Sequence, residues 1–402
     1  MLFRSRIGIG VVIVAVVVAL LLFDFIRSFA RSVPSYEGAA TVAGLTAPVT
    51  IRRDRYAIPH ISGSNAADVA FGLGYVHAQD RFFQMDMARH FVAARLSELV
   101  GPLALSTDIQ MRAIGLYPAA QQAVDYLSLD ARQILSAYAA GVNAYIDGHK
   151  GPWPIDVALT AGTPEHWREA DSLAVLKGMA MQLSGNMYNE LARVRLLGRL
   201  GRKGVQDFFR PFGDAPLPTY LDELFHTTKL GDARGVPDIS ASNNWVVDGA
   251  HSETGKPLLA NDPHLGFEIP AVWYLAHLSY GGNDLAGGTL AGVPSVVIGH
   301  NNHVAWGMTN TEPDTQDLYL EQINPDDPSE YRTPDGWQKF ETHVETIKVR
   351  FGGEKRITMR ATRHGPVIPD DSAFGIRDLV PSGYVLSLAW TSLYDDDTTF
   401  RS

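Results

Sequence analysis

The spacing of apolar residues changes near residue 240, and this change limits the folds open to the chain. Before it, residues 66–100, 108–148 and 163–200 carry apolar side chains at the spacing of amphipathic helices. After it, short runs rich in β-branched and aromatic residues alternate with turns rich in glycine or asparagine. The strands predicted there are 245–247, 258–260, 272–278, 295–298 and 304–306. Helices followed by antiparallel strands predict an α+β fold built in layers.

Local sequence signals mark both ends of the first predicted helix. Ser64 or Asn65 can cap a helix over residues 66–100, and a Gly-Pro pair after residue 100 stops it. Before the helix, residues 49–54 alternate between apolar and polar, as a half-buried strand does, and Pro59 is predicted to end that strand.

The first 31 residues form a segment of their own. Arg4 and Arg6 precede an apolar run, and residues 7–26 would reach ~30 Å as a helix, about the thickness of a bilayer core. An uncleaved anchor is favoured over a cleaved signal peptide because the best cleavage site, around residues 28–30, is poor. A buried core helix fits least, since the run has no polar face. The arginines predict an inner-membrane anchor with a periplasmic or other extracytoplasmic body.

Charge and cysteine content exclude several classes of function. The formal net charge is −10, so a nucleic-acid partner has no basic surface to bind. The sequence contains no cysteine, which excludes disulfides, thiolate nucleophiles and thiolate metal sites. Residues 211–241 hold many prolines and glycines with little periodicity, and they are predicted to be a loop or spacer.

Three stretches of sequence carry a resemblance to a known family. They are RDRYAIPHI with GLGYVHAQDRFFQMD (residues 53–61 and 72–86), SNNWVV with NDPHL (242–247 and 261–265), and GHNNHVAWGMTN (299–310). In order and spacing they resemble the penicillin acylase family over about residues 49–402. Ala57 stands where the family usually has glycine.

The resemblance implies a fold and a division of the chain. The fold is that of N-terminal-nucleophile hydrolases, an αββα sandwich with antiparallel sheets between helical layers. Family members are roughly twice as long, so the sandwich is expected to be incomplete here. The implied parts are residues 1–31 as anchor or signal, 32–210 as α-chain-like helical region, 211–241 as processing spacer and 242–402 as part of a β-chain. The α- and β-chains of one precursor would be partners after processing.

Ser242 is the nucleophile that the resemblance implies. Taken alone, a serine in Ser-Asn-Asn-Trp is most simply a turn residue, and no Gly-x-Ser-x-Gly elbow surrounds it. In the family, the chain cuts itself before the serine, here between Ala241 and Ser242. The freed α-amine, with a pKa of ~8, then acts as general base to the hydroxyl of the same residue.

Two further catalytic residues follow from the same resemblance. His264 matches a position beside the nucleophile, where the imidazole can assist proton transfer; taken alone, it is a loop histidine that caps backbone groups. Asn310 matches the position whose backbone N–H donates to the oxyanion. The family's other oxyanion donor, an asparagine side chain, falls past residue 402.

Four residues match a calcium site of the family. These are Glu190, Asp314, Gln316 through its carbonyl, and Asp317. Oxygen ligands suit Ca²⁺, although the acidic turn alone is more simply a solvated loop. No organic cofactor is expected. His77, Asp80, Arg81 and Gln84 share a helix face, and they favour a buried hydrogen-bond network over a metal site.

The sequence therefore favours a hydrolase of linear amide C–N bonds. Its substrate would be a small acyl amide such as a β-lactam antibiotic or an acyl-homoserine lactone. The alternative is a truncated, non-catalytic member that only folds or associates with a missing partner segment. A Ser/His/Asp peptidase is third, because the elbow motif is absent.

Overall fold

The computed structural model describes residues 2–160, 164–208, 242–311 and 313–393. The predicted spacer over 211–241 lies outside these residues. The α-helices in the described ranges are α1 (Leu2–Ser32), α2 (Ala66–Val92), α3 (Leu96–Val100), α4 (Leu105–Ile114), α5 (Leu116–Ala123), α6 (Leu129–Gly148), α7 (Ile155–Thr160), α8 (Glu169–Leu183) and α9 (Asn186–Phe208).

The strands lie mainly after residue 240, as predicted. They are β1 (Thr50–Arg53), β2 (Pro59–Gly63), β3 (Ser242–Val247), β4 (Leu258–Pro263), β5 (Trp273–Tyr280), β6 (Asn283–Leu290), β7 (Val296–His300), β8 (Ala305–Trp306), β9 (Gln316–Gln322), β10 (Glu330–Thr333), β11 (Gly336–Lys339), β12 (Glu341–Val349), β13 (Gly353–Thr362), β14 (Gly365–Pro366) and β15 (Tyr384–Trp390). Helices before strands confirm the α+β class.

The long helices predicted from periodicity are shorter than expected. Asn65 caps α2, because its side chain accepts the Asp68 N–H at 2.9 Å. The prediction of one helix to residue 100 is wrong: Ala94 adopts a φ of +55°, so the chain turns after Val92 before α3 begins. The helix predicted over 108–148 is likewise divided, at Gly115 with a φ of +79°.

One sheet of six strands joins residues from both halves of the chain. Its order is β1-β2-β5-β6-β7-β8, and β2 pairs with β5 in parallel while the other neighbours are antiparallel. Pro59 begins β2 rather than only ending β1, which corrects the sequence interpretation; proline is tolerated at the first residue of a strand. Gly281 and Gly282, with φ of 54° and 86°, form the turn between β5 and β6.

The two largest apolar cores among the described residues hold helices against strands. The first lies between α2, α6 and the six-stranded sheet, and includes Leu73, Tyr138 and Leu278. The helices approach closely there, since a Cβ on Gly74 would lie 2.1 Å from the Tyr138 carbonyl oxygen. The second core packs α4, α5, α8 and α9 against β15. Together they fix α8 and α9 relative to the strands that follow residue 240.

His77 lies in the first core and has a structural role. Its Nδ1 lies 2.7 Å from the Tyr138 hydroxyl and its Nε2 lies 2.9 Å from Thr289 Oγ1. Burial, aided by the charge of Arg81, lowers the pKa of His77 to about 3, so the ring is neutral at pH 7. The histidine therefore belongs to a buried hydrogen-bond network, as the sequence favoured.

The N-terminal segment forms α1. Among the residues that the structure describes, no helix is long and apolar enough to cross a membrane, so the predicted span over residues 7–26 is not supported.

Candidate active site

Ser242 is the first residue of β3, in a ribbon of two strands. β3 pairs antiparallel with β4, and Ser242 lies opposite Pro263. The serine is half-buried, whereas the next four residues of the strand are exposed. The aromatic and β-branched residues at the end of the strand, Trp245, Val246 and Val247, favour this extended backbone. The ribbon therefore presents the serine at one end.

Asn261 ties this ribbon to the segment that follows β8. Its side-chain Nδ2 donates to the Asn243 carbonyl at 3.2 Å and to the Met308 carbonyl at 2.8 Å. Its Oδ1 accepts the Met308 N–H at 3.0 Å. Between β8 and Met308 stands Gly307, where a Cβ would lie 2.8 Å from the Asn261 side chain. One amide group thus fixes the backbone of Met308 beside the residue that follows Ser242.

Asn310 lies two residues beyond Met308 in the same segment. Its Nδ2 donates to the Leu183 carbonyl at 2.6 Å. That carbonyl is at the C-terminus of α8, where helix carbonyls lack partners within the helix. The side chain of Asn310 therefore anchors the segment to the helical layer, while Asn261 anchors it to the Ser242 ribbon.

His264 follows the residue that pairs with Ser242. Its side chain is 43% exposed, and its Nε2 lies 2.9 Å from Asp262 Oδ2. Since both residues are at the surface, this pair contributes little to stability. In the described part of the chain we find no hydrogen bond between His264 and Ser242, so the catalytic role of the imidazole stays a prediction.

The four residues predicted to bind calcium lie where the same segment meets α9. Asn186, at the start of α9, donates from Nδ2 to Asp314 Oδ1 at 2.7 Å and also to the Gln316 carbonyl. Glu190, one turn further along α9, accepts the Leu318 N–H at 2.8 Å. Asp317 is close enough to Glu190 for its charge to act on that carboxyl.

Glu190 has a raised pKa at the position where α9 meets the segment before β9. Burial raises the pKa of Glu190 to about 7, and the negative charges of Asp317 and Asp314 add to the rise. The Leu318 N–H and the charge of Arg193 oppose it but do not offset it. Three carboxyl groups at this position therefore repel one another without enough positive charge to balance them.

A calcium ion fits the chemistry of these donors, and their arrangement fits it in part. Carboxylate and carbonyl oxygens are the ligands that Ca²⁺ takes, and Asn186 Oδ1 is buried without a hydrogen-bond partner. The amide nitrogen of Asn186 now bonds to two of the oxygens that a cation would bind. In the described ranges, no group of three or more His, Cys, Asp or Glu side chains surrounds one metal position.

Sequence reasoning gave no role to Asn261 or Asn186. Both make contacts with residues far along the chain, Asn261 over 47 residues and Asn186 over 128. Asn261 lies in the stretch 261–265 that carried the family resemblance. That stretch could have drawn attention to it, but nothing local predicts its partner.

The comparisons with known proteins agree with one another. A family model described as Penicillin amidase matches residues 48–402. The chain is 34% identical over 391 residues to the acyl-homoserine lactone acylase QuiP of Pseudomonas aeruginosa, covering 92% of this chain and 46% of the relative. It is 35% identical over 367 residues to the penicillin acylase 2 proenzyme of Pseudomonas sp. (strain SE83), covering 86% and 46%. The chain thus spans less than half the length of these curated relatives.

Among solved structures, the chain is similar to a thermostable penicillin G acylase from Alcaligenes faecalis. The match covers 40% of this chain and 30% of that one, with 26% identity and a TM-score of 0.33. A score this low does not bear on the fold.

Proposed function

The chain belongs to the penicillin amidase family, and from this premise we propose that it is an amide hydrolase that removes the acyl group from a small amide. The observation that carries the proposal is the position of Ser242 at the start of β3, joined through Asn261 to the segment that holds Asn310. The serine lies at one end of a ribbon that is bonded to a fixed stretch of backbone, and this geometry supports a role for Ser242 as nucleophile.

Self-cleavage is the first step that we propose. Ser242 Oγ attacks the carbonyl of Ala241, the peptide nitrogen takes up a proton, and the acyl group passes from nitrogen to oxygen. Water then hydrolyses the ester, which leaves a carboxylate on Ala241 and a free α-amine on Ser242. An α-amine has a pKa of ~8, so roughly a tenth of it is unprotonated at pH 7 and can accept the hydroxyl proton, and this fraction grows as the pH rises.

Hydrolysis of the amide substrate then proceeds by the same chemistry as self-cleavage. Ser242 Oγ attacks the substrate carbonyl, and its proton passes through the α-amine to the departing nitrogen. The acyl-serine ester is hydrolysed by water to the free acid. The backbone N–H of Asn310 stabilises the negative oxygen of each tetrahedral intermediate, and His264 assists proton transfer at the exposed side of the site.

The substrate class is proposed from the relatives and from the exposed surface. The two curated relatives are named as an acyl-homoserine lactone acylase and a penicillin acylase, and both names denote removal of an acyl group. Phe267, three residues after His264 in sequence, and Met308, which is bonded to Asn261, are large apolar residues with exposed side chains. An apolar acyl group suits such a surface.

We also propose the finer fold and the calcium site that the family implies. The fold is the αββα sandwich, cut at Ser242 into α- and β-chains that stay associated. The calcium ligands are Glu190, Asp314, the Gln316 carbonyl and Asp317. When bound, the ion would neutralise the three carboxylates and join α9 to the residues before β9.

A different observation supports a second candidate function. Four large apolar side chains on the Ser242 ribbon are exposed, namely Trp245, Val246, Leu258 and Leu259. A two-stranded ribbon with an apolar surface of this kind favours association with another segment or chain. A member of the family that only assembles with such a partner, without cleaving amides itself, remains the alternative.

Export of the body is proposed from the N-terminal sequence alone. Basic residues before an apolar run favour a cytoplasmic N-terminus and a body outside the inner membrane. Protease added to intact spheroplasts should then digest the body. Full protection of the body from protease, with digestion only after lysis, would contradict export.

Self-cleavage of the full chain tests the proposed function. We expect two fragments, and N-terminal sequencing of the second should give Ser-Asn-Asn-Trp. Ser242→Ala should stay intact, whereas Ser242→Cys retains the cut because a thiol can make the same shift. Ser252→Ala, in the turn between β3 and β4, is the matched control. A wild-type chain that folds but stays intact would refute the mechanism.

Substrate assays separate the two candidate functions. A chromogenic phenylacetyl amide and a long-chain acyl-homoserine lactone should be hydrolysed by the cut chain and not by Ser242→Ala. Cleavage at Ser242 without turnover of either amide would favour the assembling member of the family.

A further inference from the structure

Two histidines on neighbouring parallel strands face each other through the same ring nitrogen. β2 and β5 are in register at His60 and His277. The two Nδ1 atoms lie 2.9 Å apart, and the rings are inclined by 74°. The side chains are 42% and 30% exposed. A small ion can therefore reach the point between the two nitrogens.

The other nitrogen of each ring faces a carboxylate. Nε2 of His277 is hydrogen-bonded to Asp284, and Nε2 of His60 lies 3.8 Å from Asp54 Oδ2. Asp54 is held in place, because its Oδ1 accepts two backbone N–H groups of the following turn at 2.8 and 3.0 Å. The four side chains thus form a row of carboxylate, imidazole, imidazole and carboxylate.

The two Nδ1 atoms can share the point between them in two ways, which differ in tautomer. In one tautomer, His60 donates an N–H from Nδ1 to His277, and its bare Nε2 lies 3.8 Å from the Asp54 carboxylate. In the other, both Nε2 atoms carry their proton on the side of the carboxylates, and the two Nδ1 lone pairs face each other at 2.9 Å. A metal ion placed there is bound by both lone pairs.

We propose that His60 and His277 bind one divalent transition-metal ion, with zinc as the simplest case, through their Nδ1 atoms. Imidazole nitrogen is a ligand of zinc, copper and nickel. Tetrahedral zinc with Zn–N bonds of ~2.0–2.1 Å sets two ligand nitrogens ~3.3 Å apart, so the rings need to separate by only a few tenths of an ångström. Histidines that bind metals commonly donate their other N–H to a carboxylate. Asp284 holds this position for His277, and Asp54 lies 3.8 Å from Nε2 of His60.

Water completes the coordination of this ion. In the described residues no third His, Cys, Asp or Glu side chain converges on one metal position with two others, so this part of the chain supplies two ligands. The ion joins residues 217 positions apart in sequence, one before Ser242 and one after it. Where the chain is cut as proposed above, the metal links the two fragments; the metal site itself does not depend on that cut.

Metal binding by the full chain tests the proposal. Equilibrium dialysis and calorimetry should show one zinc ion at this site. His60→Gln and His277→Gln keep the size of the side chain and a hydrogen-bonding end but remove the ligand, and each should abolish this binding event. Asp284→Asn should weaken it by about 10–100-fold, the effect of losing a carboxylate that orients a ligand.

His251→Gln is the matched control. His251 is an exposed histidine whose Nδ1 lies 2.8 Å from Asp248, and no other imidazole of the described residues pairs with it, so its removal should leave zinc affinity unchanged. No saturable binding by the wild type, or equal binding by both glutamine variants and the wild type, overturns the proposal. Circular dichroism of each variant checks the fold. If a glutamine variant does not fold, the affinity of Asp284→Asn decides, and an unchanged value rejects the site.

Discussion

The side chain of Asn261 binds both backbone polar groups of Met308. Its Nδ2 donates to the Met308 carbonyl at 2.8 Å, and its Oδ1 accepts the Met308 N–H at 3.0 Å. A third bond from the same amide reaches the carbonyl next to Ser242 in sequence. Because one rigid group makes all three bonds, the distance between the Ser242 ribbon and the segment leading to Asn310 depends on this asparagine.

Asn261→Ala should therefore disturb the site more than its partly exposed position suggests. Each of the three hydrogen bonds lost costs ~0.5–1.5 kcal/mol net, so we expect the free energy of unfolding to fall by about 1.5–4.5 kcal/mol. Self-cleavage and amide hydrolysis should slow by about 10²-fold, the cost of misplacing an oxyanion donor. Chemical denaturation and initial rates measure the two effects.

Asn302→Ala is the control for this change, since it removes an exposed asparagine from the turn before β8. Gly307→Ala should resemble Asn261→Ala, because its Cβ would lie 2.8 Å from the Asn261 side chain. Normal cleavage and turnover in Asn261→Ala would show that the segment is held by other contacts.

The sequence predicted the α+β class because its periodicity is local. Helical spacing before residue 240 and β-rich runs after it depend on neighbouring residues only. β6 was not predicted because its sequence, Asn-Asp-Leu-Ala-Gly-Gly-Thr-Leu, has a weak strand propensity. Gly287 is needed there for packing, since a Cβ on it would lie 2.1 Å from the Ile298 carbonyl oxygen. The interruption of the long helix at Ala94 has no comparable local signal.

The candidate site was predictable in part for the same reason. Ser242, at the start of a strand, lies in a continuous stretch that carries the family resemblance, and Asp314 comes four residues after the last such stretch, which ends at Asn310. The contacts of Asn261 with Met308 and of Asn310 with Leu183 arise only when the ribbon packs against the helical layer. The row through His60 and His277 depends on a parallel strand pair that joins distant residues, which no local pattern indicates.

Glu190 should make stability depend on pH. Its pKa in the folded state is about 7, raised by burial and then by Asp317 and Asp314, whereas an unfolded glutamate has a pKa of ~4.3. The folded state therefore binds the proton more tightly. This contribution is fully present below pH ~4.3, falls as the pH rises toward 7, and is lost above that.

Thermal unfolding between pH 4 and 8 checks this dependence. We expect the wild type to lose up to about 3 kcal/mol of unfolding free energy over this range from Glu190, and Glu190→Gln to lose correspondingly less. Glu341→Gln, an exposed carboxylate on β12, is the control. Equal pH profiles for the wild type and Glu190→Gln would contradict the shifted pKa.

Bound calcium should oppose the loss of stability that ionisation of Glu190 causes as the pH rises. A divalent cation between Glu190, Asp314 and Asp317 favours their charged forms. At pH 7.5, we expect added Ca²⁺ to raise the melting temperature of the wild type, with Mg²⁺ as the comparison ion, and to have little effect on Glu190→Gln. Equal shifts in the two proteins would show that calcium binds elsewhere or not at all.

Ala57→Gly should stabilise the fold slightly. Ala57 adopts a φ of +62° in the turn between β1 and β2, a conformation that costs an L-residue about 1–2 kcal/mol. Glycine removes this strain but gains more freedom in the unfolded chain, which offsets roughly 0.4–1 kcal/mol. We expect a net gain of up to about 1 kcal/mol, measured by urea unfolding. A clear loss would mean that the Ala57 methyl group makes a stabilising contact.

Two substitutions at Asn310 distinguish the role of its backbone N–H from that of its side chain. Asn310→Ala removes the bond from Nδ2 to the Leu183 carbonyl and should cost about 1 kcal/mol of stability, but it keeps the backbone N–H. Asn310→Pro removes that N–H as well, and the loss of one oxyanion donor lowers the rate by about 10²–10³-fold. Melting temperatures establish that both variants fold, and kcat for a phenylacetyl amide is then compared between them. Because alanine is the reference, the comparison isolates the backbone donor from the lost contact with α8. Equal kcat values for the folded alanine and proline variants would remove Asn310 from the proposed oxyanion site while leaving Ser242 as the nucleophile.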